Sequence, residues 1–151
     1  TNPKNIKLDI PIRVNNRNLK VNFIDTGVPH AVIFVEGLKN INVKEIGRAI
    51  RYHKKFSPRG TNVDFVEVLG KNLIGIRTYE RGIEDETLAC GTGTIAAALI
   101  FSLKTKTKDS INVQTKSREV LRVHHKKFAS NFREVWLEGK ASIVHKGEYY
   151  V

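Results

Sequence analysis

The chain has 151 residues, of which 40% are hydrophobic and 27% charged, and its formal net charge is +11. This size allows one hydrophobic core, and no apolar run approaches the roughly 18 residues that span a bilayer, so a membrane-spanning protein is not expected. The positive charges are scattered and do not alternate with aromatic residues as in a groove for single-stranded nucleic acid. We therefore expect neither a membrane nor a nucleic acid as partner.

The first third of the chain predicts three strands. Apolar and polar residues alternate over Ile6–Arg13, and a second segment of strand character is Leu19–Ile24. The two asparagines at 15–16 are a turn signal, so these two segments should form a hairpin. A stretch rich in turn residues follows, and the continuous apolar run Ala31–Val35 predicts the third strand.

The middle of the chain predicts two helices separated by a hairpin. Apolar residues at helical spacing over Asn42–Phe56 indicate a helix, with Asn42 as a possible N-cap. Val63–Leu69 and Leu73–Tyr79 alternate on either side of a turn and predict the hairpin. The second helix, Gly91–Leu103, is apolar on nearly all sides, which is typical of a helix that its neighbours bury.

The C-terminal part predicts four shorter strands. They are Ile111–Thr115, Val120–His124, Glu134–Leu137 and Ala141–Val144. Nine strands and two helices joined mostly by short loops favour an antiparallel arrangement. We therefore predict an α+β fold, a curved and mostly antiparallel sheet or barrel wrapped around a central buried helix, as a single domain over residues 1–151.

The only cysteine, Cys90, excludes an internal disulfide and fits a reducing, cytoplasmic compartment. The first five residues lack the apolar segment of a signal peptide. There is no Met in the sequence, which suggests a trimmed chain or a fragment of a longer one.

Cys90 precedes the apolar helix in the sequence Ala-Cys-Gly-Thr-Gly-Thr. Amide groups at a helix start favour a thiolate and can bind a carboxylate, so a lowered cysteine pKa is expected there. Gly91 and Gly93 would let an anion approach the backbone, and Thr92 adds a hydroxyl donor. The same residues also fit an ordinary tight turn with an inert cysteine beneath it, and this motif alone leaves both interpretations open.

Two other interpretations of the motif are weaker. The segment lacks the lysine and the glycine spacing of a phosphate-binding loop. A cysteine protease needs a paired histidine, and the spacing of the five histidines favours none of them. These are His30, His53, His124, His125 and His145.

Four segments in the same order resemble the diaminopimelate epimerase family. The stretch from Glu80-Arg81-Gly82 through the Thr-Leu-Ala-Cys-Gly-Thr-Gly sequence at 87–93 resembles the family's second catalytic segment. Residues 26–32, with Gly-Val-Pro-His, resemble its Gly-x-Pro-His segment, and residues 59–66 resemble its Asn-containing strand entry. Residues 137–148 resemble its closing hairpin. The resemblance covers nearly the whole chain.

The resemblance implies a reaction and an incomplete enzyme. Family members have two similar domains, each a barrel around a helix, with the active site between them and one cysteine from each domain. One thiolate removes the α-proton of diaminopimelate and the other thiol returns a proton to the opposite face, without pyridoxal phosphate, metal or other cofactor. On this basis Cys90 is one of the two catalytic cysteines. The N-terminal partner domain is absent from these 151 residues, so the chain alone should be inactive, and a homodimer is possible.

The resemblance also implies roles for six further residues. Glu80 would hold a substrate ammonium group, Arg81 would pair with the distal carboxylate, and Asn62 would bind the distal end. Gly91 and Thr92 would bind the carboxylate at the reacting centre. His30 would orient groups beside the site. The alternatives are a surface ion pair for Glu80 and Arg81, a turn former for Asn62 and a loop filler for His30.

Two features depart from the family pattern. Val28 stands where many relatives place an asparagine that contacts substrate, and the loop at 83–87 is one residue longer than in other members. Two alternative functions remain at this point. One is another isomerase of the same superfamily, of the proline racemase or phenazine-biosynthesis type, and the other is a non-catalytic basic binding module.

Overall fold

The structure is a computed structural model that describes residues 2–107, 110–128 and 131–149. Within these residues the chain forms nine strands and two α-helices. In chain order they are β1 (Lys4–Val14), β2 (Arg17–Asp25), β3 (Pro29–Phe34), α1 (Val43–Arg51), β4 (Asn62–Gly70), β5 (Leu73–Glu80), β6 (Asp85–Thr87), α2 (Gly91–Thr105), β7 (Ile111–Gln114), β8 (Val120–Phe128) and β9 (Asn131–Glu138).

All of these strands belong to one sheet. Its order is β1-β2-β3-β4-β5-β7-β8-β9, and the short β6 pairs with β5 off this path. Most neighbours are antiparallel, but β3 and β4 run parallel, as do β5 and β7. The predicted α+β class with a mostly antiparallel sheet is confirmed.

Helix α2 lies in the concave side of the sheet. It contacts strands β2 to β5 and β7 to β9. Strands spaced about 4.8 Å apart could not all reach one helix about 10 Å wide if the sheet were flat, so the sheet curves around it. The side chains from Ala96 to Phe101 are at most 2% exposed, which confirms the predicted central buried helix. Within the described residues no helix is long and apolar enough to cross a membrane.

Helix α1 covers part of the opposite face of the sheet, so strands in the middle of the sheet are buried on both sides. The Asn42 side chain accepts a hydrogen bond from the Glu45 amide at 3.2 Å, which confirms the predicted N-cap. The helix ends at Arg51 rather than at Phe56, because His53 is extended and a separate 3₁₀ turn follows over Lys54–Phe56. This turn buries Phe56 against Phe23, with ring centroids 5.9 Å apart.

Two strand predictions were incomplete or wrong. The predicted strand Ala141–Val144 does not form, and its Ile143 and Val144 are 86% and 92% exposed. Among the described residues, the alternating apolar side chains of this segment have no neighbouring strand or sheet face to pack against. Strand β6 was not predicted, because two of its three residues are acidic and disfavour strands. It forms by pairing with the already buried β5.

Gly47 in α1 should not tolerate a side chain. A Cβ at this position would lie 2.5 Å from the Cβ of Tyr79, a buried residue on β5. Alanine favours helices by about 1 kcal/mol over glycine, but overpacking against a fixed atom costs about 1–3 kcal/mol. We therefore expect Gly47→Ala to lower the free energy of unfolding, measured by urea titration.

The matched control is Gly70→Ala, where among the described residues outside the adjoining chain the nearest heavy atom to a new Cβ is the Leu73 Cβ at 3.7 Å. This variant should stay within about 0.5 kcal/mol of the wild type, as surface substitutions usually do. Equal stability of the two variants would show that Tyr79 can move away from α1.

Candidate active site

Cys90 is the N-cap residue of α2 and is partly buried. Its backbone carbonyl accepts hydrogen bonds from the Thr94 amide at 2.8 Å and from the Thr94 hydroxyl at 2.9 Å. These bonds fix the first turn of the helix. The Cys90 sulfur lies 3.5 Å from the Thr92 hydroxyl oxygen.

A buried polar cluster lies beneath the start of α2. His30 Nδ1 is 2.7 Å from Asp64 Oδ2, and both side chains are fully buried. Thr78 donates to the other Asp64 oxygen at 2.8 Å. On the opposite side of the ring, His30 Nε2 is 3.0 Å from the Thr92 hydroxyl. The cluster therefore connects the sheet to the residue that contacts the cysteine sulfur.

The parallel pairing of β3 with β4 builds this cluster. It places His30 opposite Asn62 at the start of both strands. The Asn62 side chain is 4% exposed; its Oδ1 accepts from the Arg81 amide at 2.7 Å, and its Nδ2 is 3.4 Å from His30 Nε2. Asn62 thus joins the end of β5 to the cluster and is not a simple turn former.

Glu80 and Arg81 lie where β5 ends, both partly buried. The Arg81 guanidinium donates to the Arg59 carbonyl at 3.3 Å. Within the described parts of the chain, no hydrogen bond or ion pair is found for the Glu80 carboxylate, so these two residues are not an ordinary surface pair. The Asn62 side chain contacts the backbone at this point, through the Arg81 amide.

The close approach of α2 to the cluster requires glycine at position 93. A Cβ there would lie 2.5 Å from Asp64 Oδ1 and 3.3 Å from His30 Cε1. Gly91 is exposed, and a Cβ there would meet only Leu137 at 3.4 Å. The turn before β3 is also tied to the helix start, since the Thr26 hydroxyl donates to the Thr92 carbonyl at 3.3 Å.

Comparison with known proteins decides the family. The family model described as diaminopimelate epimerase matches residues 22–144. The chain belongs to this family. It is 48% identical over 126 residues to the diaminopimelate epimerase of Aquifex aeolicus, covering 83% of this chain and 44% of the relative. The corresponding protein of Chlorobaculum tepidum is 47% identical over 126 residues, covering 83% of this chain and 48% of the relative.

The chain spans about half the length of the curated relatives it matches. A solved structure of a phenazine biosynthesis protein of the PhzF family from Bacillus anthracis is also similar. It has a TM-score of 0.50 and 16% sequence identity, and the match covers 90% of this chain and 38% of the other. At this identity the similarity shows a shared fold and nothing about the reaction.

The start of α2 was expected to lower the pKa of the Cys90 thiol, but the surroundings of Cys90 in this family member raise it. Burial raises the pKa of the Cys90 thiol, and the negative charges of Asp64 and Glu80 raise it further. The Thr92 hydroxyl and the Gly93 amide lower the pKa but do not outweigh burial. The expectation of a lowered cysteine pKa was therefore wrong, because desolvation and two carboxylates exceed the effect of the amides.

This reversal predicts slow alkylation of Cys90 in the 151-residue chain at neutral pH. Iodoacetamide reacts with the thiolate, so the rate should rise with a midpoint above the value of about 8.5 for free cysteine. The rate should be measured from pH 6 to 11 by mass spectrometry. A midpoint below that of free cysteine would mean that the helix amides dominate after all.

The other histidines do not join Cys90. His53 accepts from the Lys55 amide, His124 pairs with Glu138 at 2.7 Å, and His125 contacts Ser102. Among the histidines in the described parts of the chain, His30 is the one that hydrogen bonds connect to Cys90, and the connection runs through the Thr92 hydroxyl. Among the residues that the structure describes, no group of three or more His, Cys, Asp or Glu side chains could hold a metal ion.

The sequence analysis missed Asp64 and Thr78. Asp64 stands in the run Val63-Asp64-Phe65-Val66 and is fully buried like its apolar neighbours. A charged residue is almost never buried without a partner. That signal was available in the sequence, although it does not indicate that the partner is His30.

Proposed function

We propose that this chain is half of a diaminopimelate epimerase, which interconverts LL- and meso-diaminopimelate in lysine and peptidoglycan synthesis. One observation carries the proposal. Hydrogen bonds connect Cys90 at the start of α2, through Thr92, with His30, Asn62 and the backbone of Arg81. The family resemblance assigns substrate binding to Asn62, Glu80, Arg81, Gly91 and Thr92, and an orienting role to His30.

The chemistry requires a second thiol outside this chain. Inverting a carbon centre needs one group to remove a proton from one face and another to supply a proton to the opposite face. The chain contains one cysteine and spans about half the length of its relatives. We assign the second thiol to an N-terminal domain of the same protein, with the substrate between the two domains.

The raised pKa of Cys90 bears on its part in the reaction. A thiol that keeps its proton near neutral pH is ready to donate it, whereas proton removal needs a partner that accepts the thiol proton. Cys90 would donate its proton to the substrate carbanion in one direction of the reversible reaction, and in the other direction it would first have to pass that proton to a neighbouring group. No pyridoxal phosphate or metal enters this proposal.

The substrate contacts follow from the free polar groups. Glu80 would bind an ammonium group, and Arg81 would bind the distal carboxylate in the paired geometry that a guanidinium provides. Asn62 would donate a hydrogen bond to the distal end of the substrate, using the Nδ2 hydrogen that does not point at His30. Gly91 and Thr92 would bind the carboxylate at the reacting carbon through the helix start.

The first test is the coding sequence upstream of Thr1. A continuous reading frame with about one further domain and a second cysteine before a glycine-rich helix start would support the two-thiol proposal. The full-length protein should then exchange the α-proton of LL-diaminopimelate in heavy water and form the meso isomer, followed by NMR and chiral chromatography. A full-length protein that leaves the α-proton in place would contradict the proposal.

Several parts of the proposal concern the whole protein. The 151-residue chain alone should not epimerise, the enzyme should work in the cytoplasm, and it could be completed as a homodimer.

The fold similarity to the phenazine biosynthesis protein adds no second function, because its sequence identity is 16%. Position 28 also matters, since Val28 cannot supply the amide contact of an asparagine.

A further inference from the structure

Asp64 is the one charged side chain in the buried part of β4, and the family resemblance gave it no role. Its side chain is fully buried, as is that of His30. A buried carboxylate is costly unless both of its oxygens have partners. Here one oxygen accepts from Thr78 at 2.8 Å and the other lies 2.7 Å from His30 Nδ1. The arrangement is therefore complete and specific.

The partners of Asp64 determine which way the hydrogen bonds of the cluster point. A carboxylate only accepts, so the proton of His30 must sit on Nδ1. In the neutral ring Nε2 is then an acceptor, and it faces the Thr92 hydroxyl at 3.0 Å and the Asn62 amide at 3.4 Å. Thr92 can donate to Nε2 and accept from the Cys90 thiol, whose sulfur is 3.5 Å away.

We propose that Asp64 is a positioning residue that holds the proton of His30 on Nδ1, so that Nε2 can exchange a proton with Cys90 through the Thr92 hydroxyl. This inference rests on the proposed function for its role in catalysis. Its structural part, the state of the His30 ring, does not depend on the substrate.

The proton transfer balances within the cluster. The Cys90 S–H bond breaks as its proton passes to the Thr92 oxygen, and the Thr92 hydroxyl proton passes to His30 Nε2. The products are a Cys90 thiolate and a His30 imidazolium, which Asp64 stabilises by accepting from Nδ1. The net charge of the cluster is unchanged, which matters because an extra buried negative charge next to two carboxylates is unfavourable.

Glycine at 93 makes this arrangement possible. Any larger residue would place its Cβ 2.5 Å from Asp64 Oδ1 and 3.3 Å from the His30 ring. The first turn of α2, which carries Thr92, could then not lie directly over the Asp64 and His30 pair. Three separate parts of the chain therefore meet at this proton path.

The test uses the full-length protein with ¹⁵N-labelled histidine. Couplings between ring nitrogens and carbon-bound protons distinguish a proton on Nδ1 from one on Nε2, and the His30→Gln variant assigns the signals. We expect Nδ1–H in the wild type and a change of that state in Asp64→Asn. An Nε2–H state in the wild type, or an unchanged state in the variant, would overturn the proposal.

Catalysis gives the second measurement. Asp64→Asn should lower kcat for diaminopimelate by about 10²-fold, the contribution of a positioned acid–base group, while KM changes by less than about threefold. Asp9→Asn is the matched control, because Asp9 is half exposed and pairs with Lys104 at the other end of α2. The control should keep both kcat and the His30 state.

The outcomes separate this inference from the proposed function. A changed His30 state with kcat unaffected would overturn the proton path. If the wild-type enzyme leaves diaminopimelate unchanged, the proposed function fails, but the NMR result still decides whether Asp64 sets the His30 ring. If Asp64→Asn does not fold, the wild-type spectrum still decides the structural part, because an Nε2–H state of His30 would overturn the proposal.

Discussion

Cys90→Ala in the full-length protein should abolish epimerisation. A single thiol cannot serve both faces of the reacting carbon, and positioned acid–base groups contribute about 10²–10⁴-fold each. We expect kcat to fall by about 10³-fold or more. The measurement is formation of meso-diaminopimelate from the LL isomer in heavy water, with solvent deuterium at the α-carbon followed by NMR.

The control for this variant is Thr105→Ala. Thr105 is an exposed residue at the last position of the same helix, about 20 Å from Cys90 at 1.5 Å per residue. This variant should keep full activity. Substantial inversion by Cys90→Ala would show that another group protonates this face, and the two-thiol proposal would have to be abandoned.

Arg81→Met should weaken diaminopimelate binding by about 10- to 100-fold. Hydrogen bonds to charged groups are worth about 1.5–3 kcal/mol each, and methionine keeps much of the length of the side chain while removing the charge. The guanidinium is held at the end of β5 by the Arg59 carbonyl at 3.3 Å. The readout is KM together with the dissociation constant of a non-reacting diaminopimelate analogue.

Arg122→Met is the matched control, since Arg122 is an exposed residue on β8 whose guanidinium bonds Asn112 at 3.1 Å. It removes the same charge at a residue to which the family resemblance gives no role, and it should leave affinity unchanged. Equal affinity of Arg81→Met and the wild type would point to a substrate without a distal carboxylate. That result would favour a racemase or isomerase acting on a smaller molecule.

The two effects arise from different features of the same site. Cys90 is the N-cap residue of α2, and the side chains of this helix pack against the surrounding sheet. Arg81 follows a central strand and is fixed through its amide by Asn62. In the proposed enzyme, the start of α2 and the end of β5 would therefore set the distance between the reacting carbon and the distal carboxylate of the substrate.

Local pattern was sufficient for much of the fold. The continuous apolar composition of Ala96 to Phe101 identified a buried helix, because no polar side was left to face water. The capping preference of asparagine predicted Asn42 as the N-cap of α1, and alternation of apolar and polar residues predicted the hairpin of β4 with β5. Both patterns depend on residues only a few positions apart. The exposed tail at 141–144 shows the limit, since alternation forms a strand only where a partner is available.

The motif around Cys90 and the family resemblance supplied the candidate site residues from the sequence alone. It did not reveal Asp64 as the partner of His30, because these residues are 34 positions apart and meet only through the parallel pairing of β3 and β4. It also predicted the wrong direction for the Cys90 pKa.

What the sequence determined by itself is the set of local features: the buried helix, its N-terminal cysteine and the family to which the motifs belong. The tertiary structure alone decided the His30–Asp64–Thr92 connection and the raised pKa of the cysteine. The physical reason is range. Helix periodicity and capping act between neighbours in sequence, whereas desolvation and the field of buried carboxylates depend on every element packed around the sulfur.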